Sequence, residues 1–421
     1  RFTLSIDPAD PRYIRNLWLF LGFTAVLVLV VVFAGTEAYE ATESVVFCGE
    51  TCHTVMEPQY VTYHNSPHAR VPCTECHIGP GASFWVKSKI DGMRQVWATM
   101  LTTYTKPIET PSMNLRPARE TCEHCHWPQQ FYGDKLITRT YYRTDEQNSP
   151  WTISFRVKIG GGDPHGGAEG EGIHYHMLAE RKLEYVATDA KRQTIAWVRT
   201  VDYSGDTTVF TNTEVETPDL NDPATEIRTF DCMDCHNRPS HQFRPPATAV
   251  NAALRSGEIS TELPYIRQVG VDLLNATYET REAAEKGIVE GLNGYYAENY
   301  PAAADSLGAA ITQASEVLLQ IYRNNFFPEM NTDYRVRENH LSHFVNDGCF
   351  RCHNTSMVGD NGETIANDCR TCHLIVAQGP SIATDSLEMN LGGLEFRHPE
   401  DIDDAWKEAN CTACHTADQG Y

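Results

Sequence analysis

All fourteen cysteines of this 421-residue chain fall in seven short clusters, and each cluster closes on a histidine. Six have the spacing Cys-x-x-Cys-His: Cys73/Cys76/His77, Cys122/Cys125/His126, Cys232/Cys235/His236, Cys349/Cys352/His353, Cys369/Cys372/His373 and Cys411/Cys414/His415. The first, Cys48-Gly49-Glu50-Thr51-Cys52-His53, carries one more residue between its thiols. Two thiols at this spacing form thioethers to the vinyl groups of a haem while the adjacent imidazole reaches the iron, so each cluster reads as a c-type haem attachment site. A disulfide or zinc framework would not place histidine directly after every second cysteine. The expected cofactor is therefore haem c, seven per chain, and the expected role is electron transfer.

The second constraint precedes the first cluster. From Leu17 to Ala34 the chain is uncharged, and at helical rise this run reaches about 27 Å, near the thickness of a bilayer's hydrocarbon core. Arg12 and Arg15 flank its start, and Glu37, Glu40 and Glu43 follow its end. The positive side is read as cytoplasmic, which makes this a single-pass anchor in the cell inner membrane with the haem-bearing part in the periplasm. A cleaved signal peptide is the rival reading, but the run exceeds a usual signal core. The chain begins at Arg1 rather than Met, so further N-terminal residues are expected.

Fifty-six acidic against thirty-four basic residues give a formal charge of −22, which excludes nucleic acid as a partner and favours redox proteins with basic faces. Motif spacing divides the chain into a stub and anchor (1–36), three haems with an interfacial helix (37–130), a β-rich insertion (131–230), a fourth haem (231–245), a helical segment (246–340) and three more haems (341–421). Within the insertion Ile153, Phe155, Val157 and Ile159 alternate with polar residues at strand period. Residues 184–187 and 195–201 read as further strands, and 203–206 as a hairpin turn. In the helical segment Ile311, Ala314, Val317, Leu318 and Ile321 mark one apolar face. The expected fold class is thus a multihaem cytochrome c: an N-terminal transmembrane helix, a mostly α or irregular haem-packed body and a small antiparallel β insertion.

The anchor, the widened first motif followed by Met56, the stretch from Tyr60 to Cys76 containing Ser66-Pro67-His68, and Cys232-to-His241 (CMDCHNRPSH) resemble the NapC/NirT family of membrane-anchored multihaem quinol dehydrogenases. The resemblance covers residues 10–126 and 230–245; family members usually carry four or five haems, so the insertion and the last three motifs are departures. It implies His68 and His241 as distal ligands and Met56 as a ligand of the haem nearest the membrane. Thioether ligation raises potential relative to two imidazoles.

Other second ligands follow from position. In a strand through Ile173-His174-Tyr175-His176, both imidazoles would share one face, where His174 or His176 would reach a haem. His343 precedes the fifth motif, His398 precedes the seventh, and Met357 lies four residues beyond His353. His124, inside its own motif, is expected beyond direct reach of that iron. His64, His165 and His340 are expected as bystanders.

After the second motif, Val86, Ile90, Met93, Trp97, Met100 and Tyr104 recur at helical spacing, which predicts an amphipathic helix lying in the membrane interface. Lys89 lines up with Met93 and Val96, whereas Lys87, Asp91 and Arg94 share a solvated face. Lys89 is either a snorkelling residue or, as the resemblance implies, part of a quinol pocket, with Asp91 or another carboxylate taking a proton. The expected function is electron exchange between the quinone pool, menaquinol included, and periplasmic cytochromes or a respiratory complex. Alternatives are reduction of a small inorganic substrate at an open haem, a place as a subunit of a larger complex, or a conductive filament subunit. Direction of flow and self- or hetero-association stay open.

Overall fold

A computed structural model describes residues 11–51, 53–79, 81–110, 117–127, 131, 133–160, 172–177, 182–202, 204–341 and 343–416, without the side chains of His53, Thr54, Ala82, Ala303 and Thr384. The apolar run lies in α1 (Pro11–Glu43), a helix whose side chains are nearly all exposed and whose hydropathy and length suit a membrane span. A turn at Ser44, whose hydroxyl caps α2 (Val45–Glu50) by accepting from Phe47 N, redirects the chain. α3 (His53–His64) then folds back on α2. Within the first motif, a Cβ at Gly49 would run into the Tyr60 ring of α3, and Tyr60 donates to Glu50 Oε1 at 2.8 Å. The second motif is itself a short helix, α4 (Cys73–His77), and α5 (Ala82–Met100) follows.

α5 is amphipathic, as its spacing predicts. Val86, Ile90, Met93, Val96, Trp97 and Met100 are all exposed along one stripe, and with α1 they present a continuous apolar surface suited to lipid. The third and fourth motifs start in single turns, α6 (Ala118–Cys122) and α7 (Cys232–Cys235).

The β part consists of two antiparallel sheets. β1 (Asp134–Tyr142), β2 (Pro150–Lys158), β8 (His373–Gly379) and β9 (Glu388–Leu394) form one, in the order β1-β2-β8-β9. The other runs β6-β3-β4-β5-β7: β3 (Lys182–Ala187), β4 (Ile195–Val201), β5 (Thr207–Asn212), β6 (Arg228–Thr229) and β7 (Met357–Gly359). The turn between β4 and β5 closes with Asp202 N on Asp206 O at 3.0 Å, with Gly205 at a φ of 84° that favours glycine. Three strands come from the C-terminal haem segment, so the sheets stitch that segment to the insertion. A correction concerns residues 173–176, which lie in a 3₁₀ turn (Ile173–Met177) rather than a strand.

The main side-chain core lies elsewhere, among α8 (Pro246–Ser256), α9 (Ile266–Asn275), α10 (Arg281–Asn299), α11 (Pro301–Ser306) and α12 (Gly308–Asn325). Leu263, Ile266, Leu274, Ile288, Leu292, Tyr296 and Leu318 are fully buried there. The Thr280 hydroxyl caps α10, and Gly257 in the left-handed region ends α8. Ile311, Ala314 and Leu318 of α12 point into this core, with Val317 and Ile321 packed at its edge.

Candidate haem sites and membrane end

The structure brings each motif histidine after the first against one histidine from outside the motifs. His77 faces His241 (ring centroids 6.4 Å apart), His126 faces His68 (6.1 Å), and His236 faces His174 (6.5 Å). His353 faces His176 (5.8 Å), His373 faces His343 (6.4 Å), and His415 faces His398 (6.0 Å). Two metal–imidazole bonds of about 2 Å plus the ring half-widths put two rings on one metal roughly 6 Å apart. The spacing therefore fits an iron between each pair.

Second partners of the rings point the same way. The Nδ1 of His68 sits on Pro239 O (3.1 Å), of His241 on Gln59 O (3.0 Å) and of His174 on Ile159 O (2.8 Å). His176 Nδ1 sits on Ile173 O (3.0 Å). A carbonyl only accepts, so each Nδ1 carries the proton and Nε2 keeps its lone pair, the state a metal-bound imidazole needs. Burial lowers the proton affinity of His77, His176, His236, His343, His373 and His415, and takes His241 to about 4, which favours the same neutral form.

His340 shows the contrast. Its Nδ1 lies 2.9 Å from Asp234 O and its Nε2 2.9 Å from Gln193 Nε2, so both nitrogens are engaged within the protein. His64 is exposed beside Tyr60 and Tyr63, His124 is exposed, and His165 lies outside the described residues.

The 3₁₀ turn explains how one short segment serves two sites. At three residues per turn, a two-residue step rotates the side chain by roughly 240°, so His174 and His176 diverge, one to His236 and the other to His353. Gly172, with a φ of 88°, permits the turn, since a Cβ there would strike Lys158 O. Met357 is a correction: it is fully buried with Tyr185, Ile195 and Val198 in the second sheet's apolar cluster, and the adjoining His353 already faces His176. Met56 is half-buried on α3, one turn beyond His53.

The motifs also lie in a definite order. Cys48 neighbours Cys73, and Cys122 neighbours Cys232. Cys76 is within electrostatic reach of Cys125, Cys235 of Cys349, Cys372 of Cys349, and Cys411 of Cys369. Each motif is thus the neighbour of the next in sequence. A continuous cavity of about 3390 Å³ accompanies the later ones, lined by cysteine and histidine from the third motif to the seventh together with His68, His174, His176, His343 and His398. A groove of that size, bordered by thiols and paired imidazoles, fits haem c.

At the membrane end Lys89 does not stand alone. It pairs with Glu43, the last residue of α1, and donates to Thr42 Oγ1 at 3.2 Å, while Trp85 Nε1 donates to Glu43 Oε1 at 3.2 Å. Asp91, two residues along α5, lies roughly 200° around the helix from Lys89. Glu43 was missed because an acid after an apolar run reads first as a topology signal. Its spacing from Glu37 and Glu40, which puts the three on one stripe of α1, was the available hint.

An apolar anchor helix joined to a succession of paired-histidine haem motifs defines a membrane-anchored multihaem c-type cytochrome, an electron-transfer protein. Residues 12–110 match the NapC/NirT cytochrome c family, N-terminal region. The chain is 41% identical over 415 residues to the cytochrome c-type protein ImcH of Geobacter sulfurreducens, covering 98% of this chain and 80% of that one. It is 36% identical over 78 residues to the cytochrome c-type protein NrfH of Wolinella succinogenes, covering 18% of this chain and 44% of that one. The chain belongs to the NapC/NirT cytochrome c family. No solved structure matches it significantly.

Proposed function

We propose that this protein is a quinol dehydrogenase carrying seven haems, which takes electrons from menaquinol at the membrane and delivers them to periplasmic redox partners from its C-terminal end. The observation that carries the reading is the succession of attachment cysteines in chain order, from Cys48 beside the end of the membrane helix to Cys411 and Cys414. Haem c bound along this succession supplies one-electron iron couples. The protein's own part would be to hold six of the irons between two imidazoles, His77 with His241, His126 with His68, His236 with His174, His353 with His176, His373 with His343 and His415 with His398. His53 or Met56 serves the first site.

Lys89 supports the membrane-end assignment. It lies on the edge of the α5 apolar stripe, where a lipid-soluble head group enters, and its ammonium donates to oxygen. Arg12 and Arg15 before the span support a periplasmic haem-bearing part by the charge rule. Reduction of an inorganic substrate at an open iron gains nothing from this geometry, since six motif imidazoles already face a second one.

The test is reduction of the purified holoprotein in phospholipid vesicles by a lipophilic menaquinol. Rapid reduction of all haems supports the reading. Haems that stay oxidised with quinol, yet reduce fully with dithionite, contradict it.

A further inference from the structure

α1 continues past its apolar run to Glu43, roughly 13 Å beyond Ala34 at helical rise, and meets α5 there. Glu43 Oε1 accepts from Trp85 Nε1 and from the Lys89 ammonium, and the Lys89 Nζ lies 5.4 Å from the centre of the Trp85 ring. Tyr39 packs on the same indole with ring centres 6.0 Å apart. The Glu43 side chain is 14% exposed and that of Lys89 30%, so the pair is mostly withdrawn from water but keeps a wet flank.

The groups that face Glu43 are Tyr39 and Thr42 from its own helix, Trp85 and Lys89 from α5, and the first haem thiol, Cys48, from α2. The Cys48 thiol is pushed up chiefly by its neighbour Cys73 and then by burial, with Glu43 adding to the effect and Lys89 opposing it. A carboxylate, an ammonium and the membrane-proximal haem attachment therefore share one small region at the lipid boundary.

Resting on the quinol reading above, we propose that Glu43 takes the proton a quinol hydroxyl gives up here, and that Lys89, released as Glu43 is neutralised, holds the oxygen that loses it. A quinol yields two electrons and two protons on becoming a quinone. Haem c held at the Cys48 motif would take the electrons one at a time. Each O–H bond breaks with its proton going to Glu43 Oε1, which passes it to water at the exposed flank before the next. The ion pair suits both steps, because Lys89 holds the carboxylate in position and its ammonium is already in place for the developing charge on the substrate oxygen.

The experiment is quinol-driven haem reduction by the full-length holoprotein in vesicles containing menaquinol-4, followed from about pH 5 to 9. In the wild type the rate falls toward acid pH as Glu43 becomes protonated. Glu43→Gln is expected to slow reduction at least tenfold, to abolish that acid limb and to change KM little. Glu43→Asp recovers a large part of the rate. Trp85→Phe, which removes only the indole donor, moves the acid limb to higher pH, a shift that a merely structural role would not produce. Haem content and dithionite-reduced spectra report on folding in each variant. A Glu43→Gln protein with the wild-type rate and pH profile overturns the role of Glu43 and leaves the quinol reading standing. A wild type that quinol does not reduce removes both.

Discussion

The helical segment and the haem-bearing remainder of this chain solve the same problem in different ways. Between Pro246 and Asn325, helices bury Leu263, Ile266, Leu274, Ile288, Leu292 and Leu318 completely against one another. The region of the third to seventh motifs instead surrounds a cavity of about 3390 Å³ lined by thiols, imidazoles and aromatic rings. Burying apolar side chains offsets the entropy of ordering the helical segment. In the other region bound macrocycles would supply the apolar core, so its fold is expected to depend on their attachment.

The largest effect should come from withholding haem. Chain produced without cytochrome c maturation should keep a protease-resistant fragment spanning roughly residues 246–335 and lose protection over 48–127 and 340–416. Limited proteolysis with mass spectrometry checks this, and uniform sensitivity along the chain would break the contrast. Core and ligand substitutions sharpen it. Leu318→Ala should cost about 3 kcal/mol of unfolding free energy with the haem spectrum unchanged. His176→Ala should instead convert one haem from low to high spin with little change in helix content.

Replacing Lys89 with Leu should leave haem content intact and lower quinol turnover ten- to a hundredfold, as expected for losing a charged hydrogen bond of about 1.5–3 kcal/mol. Lys87→Leu, on the exposed face, should do much less. Acid stability offers a further contrast. Burial first, and then the Arg351 charge, hold His340 at about 4. A histidine depressed in the folded state binds its proton more readily when unfolded, so its stabilising contribution is present above about pH 6.5 and lost as pH falls through about 4. His340→Gln should flatten the acid limb of the stability profile between those values. The smallest effect belongs to the seam between regions: Arg281, whose Nη1 donates to Glu57 Oε1 at 2.7 Å, joins α10 to α3. The pair is partly exposed, so Arg281→Ala should cost no more than about 1 kcal/mol in chemical denaturation.

What could be read in advance divides along the same line. The membrane helix, α5, the strands at 150–158, 182–187 and 195–201 and the apolar face of α12 all leave a local period in the sequence. The His174–His176 segment misled because alternation fits a strand and a 3₁₀ turn equally over so few residues, and Gly172 decides for the turn. Strands β7 to β9 went unread because they are crowded among motifs, with β8 beginning on His373 itself. Pairings such as His77 with His241 join distant parts of the chain and leave no local trace. For the same reason closeness in sequence was a poor guide at Met357, which the sheet claims for its own core.

Electron paramagnetic resonance and near-infrared magnetic circular dichroism of the oxidised holoprotein test the central claim most directly, because both read axial ligands haem by haem. The account predicts six low-spin haems with two imidazoles each and a seventh with a different signature, assigned to the Cys48 site by its loss or change in Met56→Leu. A spectrum with a high-spin majority, or with methionine-ligated haems beyond the first site, would contradict it.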